Sequence, residues 1–214
     1  MVNSKLQLIL ASASPRRKEL LGHLKLPFEI RTCDVCEESA QTDPAAFSSE
    51  IAEKKAEAVV HVLQQGDPGK NFLVVSADTI VSLGEKIYGK PQNVAQARQF
   101  LSELSGRTHS VFTAVCVKLI GPAATTGFSF VDESRVTFDE ISPELLERYL
   151  ATGDSLDKAG AYGIQGPSLT FISNVSGSYA NVVGFPLSRF VSETEKFLNG
   201  IFPKEATWFD CFVR

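Results

Sequence analysis

The chain has 214 residues, 43% of them hydrophobic and 21% charged, with a formal net charge of −4. That length suits one domain or two closely joined lobes around an ample core. No run approaches the roughly 18–20 apolar residues of a membrane span, and no secretory leader is legible at the N-terminus. An acidic balance argues against a surface that coats a nucleic-acid polymer, so any basic site has to be a local concentration of charge.

The apolar run from Leu6 to Ala11 predicts a buried strand. Two serines follow, then Pro15 and a helical pattern carrying Leu20, Leu21 and Leu24. Ser14 is placed to cap that helix, because its hydroxyl can accept from the free N–H groups of the first turn, and Pro15 gives up an N–H that would go unused. A strand running into a helix N-terminus favours an anion, yet Arg16, Arg17 and Lys18 crowd cations into the same turn. Three solvated surface charges would explain them; so would a bound polyphosphate.

Phe28 to Cys33 alternates as a second strand, and Asp34 to Asp43 is an acidic loop. Pro44 opens a helix reaching about Gln65 and closed by Gly66, with an apolar stripe through Phe47, Ile51, Ala58, Val59 and Val62. Lys55 falls on that stripe and points toward the protein, where it either snorkels to solvent or reaches an anionic ligand. Phe72 to Val81 is a strongly apolar, β-branched strand suited to a central position. Asp78 interrupts it. A carboxylate there needs a partner, a proton or a metal, so it is either a structural cap or a working acid–base or metal-binding group.

Gly84 to Pro91 forms a turn that delivers Lys90. Asn93 caps a helix with Val94, Ala97, Phe100, Leu101 and Leu104 inward, stopping at Gly106. Arg107 and His109 lead into a strand from Val111 to Ile120, where His109 reads as structural. Gly121 to Gly127 is expected as a hairpin tip, followed by an alternating strand from Phe128 to Phe138. Ser142 caps a helix through Leu150 that ends at Gly153.

Asp154 to Gly166 is a second candidate site. Asp157 and Lys158 precede three glycines, which permit close backbone approach to a ligand. Gln165 offers an amide donor and acceptor suited to the edge of a base. Short strands are expected at Leu169–Ile172 and Tyr179–Val183, and Pro186 starts a last helix with Phe190, Val191 and Phe197 inward. Residues 1–200 form the domain, and 201–214 a tail whose Trp208, Phe209 and Phe212 pack on the body or on a partner.

The four cysteines, Cys33, Cys36, Cys116 and Cys211, read as free thiols of a reducing, cytoplasmic compartment. Cys33 and Cys36 have redox or metal-ligand spacing, but no second pair follows to complete a tetrahedral site. A cationic helix start, inward lysines and one buried aspartate together suit hydrolysis of a phosphoanhydride. Ser12 and Ser14 have no histidine at suggestive spacing for a covalent route. A Gly-x-x-x-x-Gly-Lys-Ser/Thr phosphate loop is absent from the sequence.

Ala11-Ser-Ala-Ser-Pro-Arg-Arg17 closely resembles the opening motif of the Maf family of nucleoside triphosphate pyrophosphatases. Val75–Val81, Gly89–Pro91, Leu104–Gly106, Asp157–Gly166 and Val182–Pro186 resemble further family blocks in the family's order, over nearly the whole chain. The resemblance implies an α/β fold, a mixed elongated sheet flanked by helices with a deep cleft between two lobes, as in inosine triphosphatases. It implies Asp78 as catalytic base and metal ligand, and Ser14, Arg17, Lys55, Lys90 and Lys158 as substrate or phosphate contacts. Substrate discrimination falls on Arg16, Thr79 and Gln165. The Ala-Asp-Thr-Ile-Val and Tyr-Gly-Ile-Gln-Gly blocks look like the branch acting on dTTP, UTP and modified pyrimidine triphosphates. A divalent cation (Mg²⁺, Mn²⁺ or Co²⁺) and a homodimer are family-level expectations. The sequence departs from the family pattern at Gly89, where a glutamate is usual, with Glu85 as a substitute. The alternatives are a nucleotide-binding regulator of septum formation without significant turnover, and the 7-methyl-GTP specificity.

Overall fold

The computed structural model describes residues 5–67, 69–121, 124–202 and 207–212. Strand β1 (Gln7–Leu10) runs parallel to both β2 (Phe28–Ile30) and β3 (Phe72–Leu83), with α1 (Pro15–Gly22) and α2 (Pro44–Gly66) as the crossover helices. β3 then turns through Gly84 into β4 (Lys86–Tyr88). Beyond α3 (Val94–Leu104), the long strands β5 (Thr108–Ile120) and β6 (Thr125–Phe138) add antiparallel to its other edge. After α4 (Pro143–Ala151), two 3₁₀ turns lead to β7 (Ile172–Ser176), which pairs with β6 and is followed by α5 (Tyr179–Val183) and α6 (Leu187–Asn199). The result is one seven-stranded mixed sheet in the order β2-β1-β3-β5-β6-β7, with β4 hydrogen-bonded to β3. This is the mixed α/β architecture expected of the sequence.

Three long strands carry two cores on one face. Leu73, Val75 and Ala77 of β3 join Val115, Val117 and Phe130 in a cluster closed by Phe185, Phe190 and Leu198. Farther along the same strands, Val81, Val111, Val136 and Phe138 join a second cluster under α3 and α4. Between the two the alternation places Thr79, Thr113 and Ser134, so a polar seam separates the cores. On the opposite face, α2 packs Ala52 and Ala56 against Ala114 and Cys116, and Val59, Val60 and Leu63 against β1 and β3.

Several local expectations change. The buried face of α2 runs through Ser48, Ile51, Ala52, Ala56, Val59, Val60 and Leu63, while Val62 is 54% exposed. Ala52 and Ala56 pack against Ala114 and Cys116 of β5, so the contact line runs through them and not through Val62. Tyr179–Val183 is a helix rather than a strand, capped by Ser178 and ended by left-handed Gly184. Pro167–Thr170 is a 3₁₀ turn, so the strand begins at Ile172 instead of Leu169. β2 stops at Ile30, short of Cys33. Of the expected hairpin tip, Pro122 and Ala123 lie outside the described residues, and Gly121 donates its N–H to the Ala124 carbonyl.

The tail is part of the body where it is described. Leu6 donates its N–H to the Cys211 carbonyl, and Trp208 and Phe212, each 3% exposed, complete the first core cluster.

Candidate active site

β1 leaves β3 after Leu10, which pairs with Val75; β4 joins the same edge only at Val81. Along the stretch between them, Asp78, Thr79 and Ile80 line a cavity of about 840 Å³. Ligands of open α/β sheets bind at such a place, beyond the carboxyl end of a parallel strand where its neighbours diverge. Asp78 and Thr79 sit on this segment, pointing to opposite faces of the sheet.

The start of α1 forms one wall. Ser14 caps the helix, its hydroxyl accepting from the Arg17 N–H, and Pro15 occupies the first helical position. No acidic side chain lies in the first turn, so the helix dipole there is left to a ligand. Arg16 and Arg17 line the cavity. Lys18, by contrast, is exposed and is not among the cavity-lining residues.

Arg17 is held by neutral acceptors. Its Nε donates to the Gly184 carbonyl at 2.9 Å, Nη1 to Ser12 Oγ at 3.2 Å and Nη2 to Thr79 Oγ1 at 3.0 Å. Burial pulls the guanidinium pKa below its ordinary value, an effect the charges of Asp78 and Glu37 only partly offset. A desolvated cation lacking a directly bonded carboxylate is electrostatically prepared for an incoming anion.

Opposite it, α2 carries Lys55 toward Asp78. The ammonium donates to Asp78 Oδ1 at 2.7 Å and pairs with Glu37 Oε1 at 2.6 Å. Asp78 is 8% exposed, so Lys55 supplies the partner that a carboxylate in this strand needs. Burial is the largest influence on Glu37 and raises its pKa. The Lys55 hydrogen bond and the charges of Lys55, Lys90 and Arg17 outweigh it, holding the carboxyl below the ordinary 4.5. Glu37 escaped the sequence reading because it belongs to an acidic loop of no evident pattern; only the fold places it beside Lys55. Glu85, exposed at the β3–β4 turn, is not among the cavity-lining residues, whereas Gly89 and Lys90 are.

The Asp154–Gly166 segment closes the far side. Arg16 Nη1 reaches Asp157 Oδ2 at 3.3 Å, tying the α1 turn to this loop. Lys158 spends its ammonium on the Asp154 carbonyl at 2.8 Å, Asp154 Oδ1 at 2.9 Å and Asp157 Oδ1 at 2.6 Å. Gln165 lines the cavity and is exposed. From beneath, Tyr149 donates to the Ala161 carbonyl at 3.1 Å, and Tyr162 meets His109 Nε2 at 2.7 Å. Burial depresses the His109 pKa to about 4, so the ring is neutral near pH 7. All nine residues selected from the sequence line this single cavity: Ser14, Arg16, Arg17, Lys55, Asp78, Thr79, Lys90, Lys158 and Gln165.

A family model described as Maf-like protein matches residues 7–197. The chain belongs to the Maf family. Among curated Maf relatives, a protein of Deinococcus radiodurans named dTTP/UTP pyrophosphatase is 43% identical over 182 residues, covering 85% of this chain and 88% of that one. Proteins of the same name from Bacillus thuringiensis subsp. konkukian and Bacillus cytotoxicus are 41% and 40% identical. They cover 89% and 90% of this chain, and 95% and 96% of their own.

The donor set fits a divalent cation of the hard, oxygen-binding kind. Two carboxylates, Asp78 and Glu37, converge on one positive charge, and Mg²⁺ is commonly held by one or two carboxylates together with substrate phosphates. Among the described residues, no group of three histidine, cysteine or acidic side chains forms an all-protein cage.

Proposed function

We propose that this Maf protein hydrolyses dTTP and UTP to the monophosphate and diphosphate. The single observation that carries the reading is the meeting of Asp78, Glu37 and Lys55 with the Arg17 end of α1 in one cavity. Phosphoanhydride hydrolysis asks for that combination: cations for the phosphates and a carboxylate for the attacking water.

Ser14, Arg17, Lys55 and Lys90 bind the phosphates, and Lys158 adds charge nearby while holding the Asp154–Asp157 turn. Asp78 takes a proton from water as the water oxygen bonds to the α-phosphorus. The bridging P–O bond breaks, and Arg17 and Lys55 receive the charge that develops on the leaving diphosphate. A divalent cation held at Asp78 and Glu37 (Mg²⁺, Mn²⁺ or Co²⁺) would offset phosphate charge and acidify a bound water.

Gln165 and Arg16 read the base. An amide can satisfy both a carbonyl and an N–H on a uracil-type edge, leaving other bases unpaired at a cost of about 1–3 kcal/mol per lost partner. Among the described residues no helix is long and apolar enough to cross a membrane, and all four cysteines are free. Free thiols support a cytoplasmic setting.

Diphosphate release from a panel of dTTP, UTP, CTP, dATP, dGTP and 7-methyl-GTP, with and without Mg²⁺, tests the proposal. Turnover led by dTTP and UTP is expected. Preference for a purine, or tight binding with no turnover, would overturn it.

A further inference from the structure

Thr113 lies in the middle of β5, fully buried, on the polar seam between the two cores. Its Oγ1 is 2.9 Å from the Asn181 carbonyl and 3.0 Å from Thr79 Oγ1. Thr79 Oγ1 in turn is 3.0 Å from Arg17 Nη2. The direction of this chain is forced by chemistry. A carbonyl only accepts, so Thr113 donates to Asn181; a hydroxyl has one proton, so Thr79 must donate to Thr113. Thr79 is thereby left to offer Arg17 a lone pair, as a guanidinium requires.

A second arm closes the circuit. Arg17 Nε donates to the Gly184 carbonyl at 2.9 Å, and the Gly184 N–H donates to the same Asn181 carbonyl at 2.9 Å. Asn181 is itself anchored, its Nδ2 donating to the Val111 carbonyl and to Ser134 Oγ, both at 3.0 Å. Two of the three contacts that orient the guanidinium therefore lead to one buried backbone oxygen, the third being Nη1 to Ser12 Oγ.

We infer that Thr113 is a positioning residue for the phosphate-binding Arg17, acting through Thr79, whose hydroxyl proton is committed to this relay and not to substrate. The inference rests on the pyrophosphatase reading above. Without the Thr113 hydroxyl, the Thr79 proton is free to rotate toward Arg17, where it opposes the guanidinium. The loss then falls on phosphate binding, which every triphosphate shares. It does not fall on the choice of base.

The test compares wild type with Thr113→Val, nearly isosteric, and Thr113→Ser, which keeps the hydroxyl. With Thr113→Val, kcat/KM for dTTP and for UTP should fall together by about tenfold, the worth of one neutral hydrogen bond. The dTTP-to-CTP ratio should hold, and Thr113→Ser should restore the wild-type value. In the isotope-labelled full chain, the Arg17 Nε–H resonance should be sharp in wild type and Thr113→Ser and broadened in Thr113→Val. A lower melting temperature with unchanged kcat/KM, a shifted base ratio, or no rescue by serine would each overturn the inference. Should Thr113→Val not fold, the wild-type Thr79 and Thr113 hydroxyl protons decide: slow exchange supports the relay, and free exchange with water refutes it. A wild-type protein that releases no diphosphate sinks the pyrophosphatase reading alone, because the Arg17 and hydroxyl resonances are read without substrate.

Discussion

Replacing Lys55 with methionine leaves two carboxylates facing each other without their shared ammonium. The Lys55 and Asp78 side chains are only 14% and 11% exposed, whereas Glu37 is 50% exposed. The Glu37 arm is therefore worth about 0–1 kcal/mol, as exposed pairs are. Breaking the Asp78 arm should cost about 3 kcal/mol, the lower end of the range for a buried pair that loses one member. In a chain of this length that corresponds to roughly 6–12 °C in melting temperature. Asp78→Asn should cost less, about 1–2 kcal/mol, because Lys55 keeps Glu37 and an amide can still accept from it. In the double variant Lys55→Met/Asp78→Asn no buried charge is stranded, so its destabilisation should fall short of the sum of the single effects by at least about 1 kcal/mol. Urea titrations that share one m-value across the four proteins measure the cycle. Additive effects, or a Lys55→Met cost under about 0.5 kcal/mol, would refute the claim that Lys55 exists to compensate Asp78.

Other consequences follow from the same contacts. Neutral, buried His109 titrates near 4 rather than 6.5, so from pH 6.5 down to about 4 the unfolded chain binds the extra proton. Its contribution is full above pH 6.5 and declines by about 3 kcal/mol over that window. Stability measured against pH should lose this component in His109→Gln. Gly184 has φ of +118°, and a Cβ there would stand 3.3 Å from Thr79 Oγ1. Gly184→Ala should thus cost about 1–3 kcal/mol in stability and raise KM by displacing the carbonyl that holds Arg17. Trp208→Ala should destabilise by about 3 kcal/mol, read by denaturant titration, with diphosphate release at 25 °C unchanged because the tail packs away from the cavity.

Much of this was legible in the residues themselves, for definite reasons. Ser14-Pro15 announced a capped helix start because cap chemistry is local, and the nine selected residues do line one cavity. Asp78 stood out because a carboxylate in an apolar strand needs a partner, and Lys55 because it broke an apolar stripe. Contacts set by tertiary structure were harder to read. Glu37 lies in a loop without periodicity, and its bond to Lys55 depends on how that loop folds over α2. Tyr179–Val183 is expected as a strand, but the Ser178 cap, the left-handed Gly184 and the buried Asn181 amide make it a helical turn. The phase of α2 is hard to read at Val62 because alanines, weak markers of burial in a sequence, form its contact with Ala114 and Cys116 of β5. Thr113 could not be found from sequence, since a threonine in a strand is unremarkable until its hydrogen bonds are seen.

The central claim is that Asp78 activates the water that cleaves a pyrimidine nucleoside triphosphate. It is tested most directly by diphosphate release from dTTP at saturating substrate and Mg²⁺, comparing wild type with Asp78→Asn. Removing a general base is worth about 10²–10⁴-fold in rate, so the account predicts a fall of that size in kcat while the protein still binds dTTP. Turnover by Asp78→Asn within about threefold of wild type, far above that range, would contradict it.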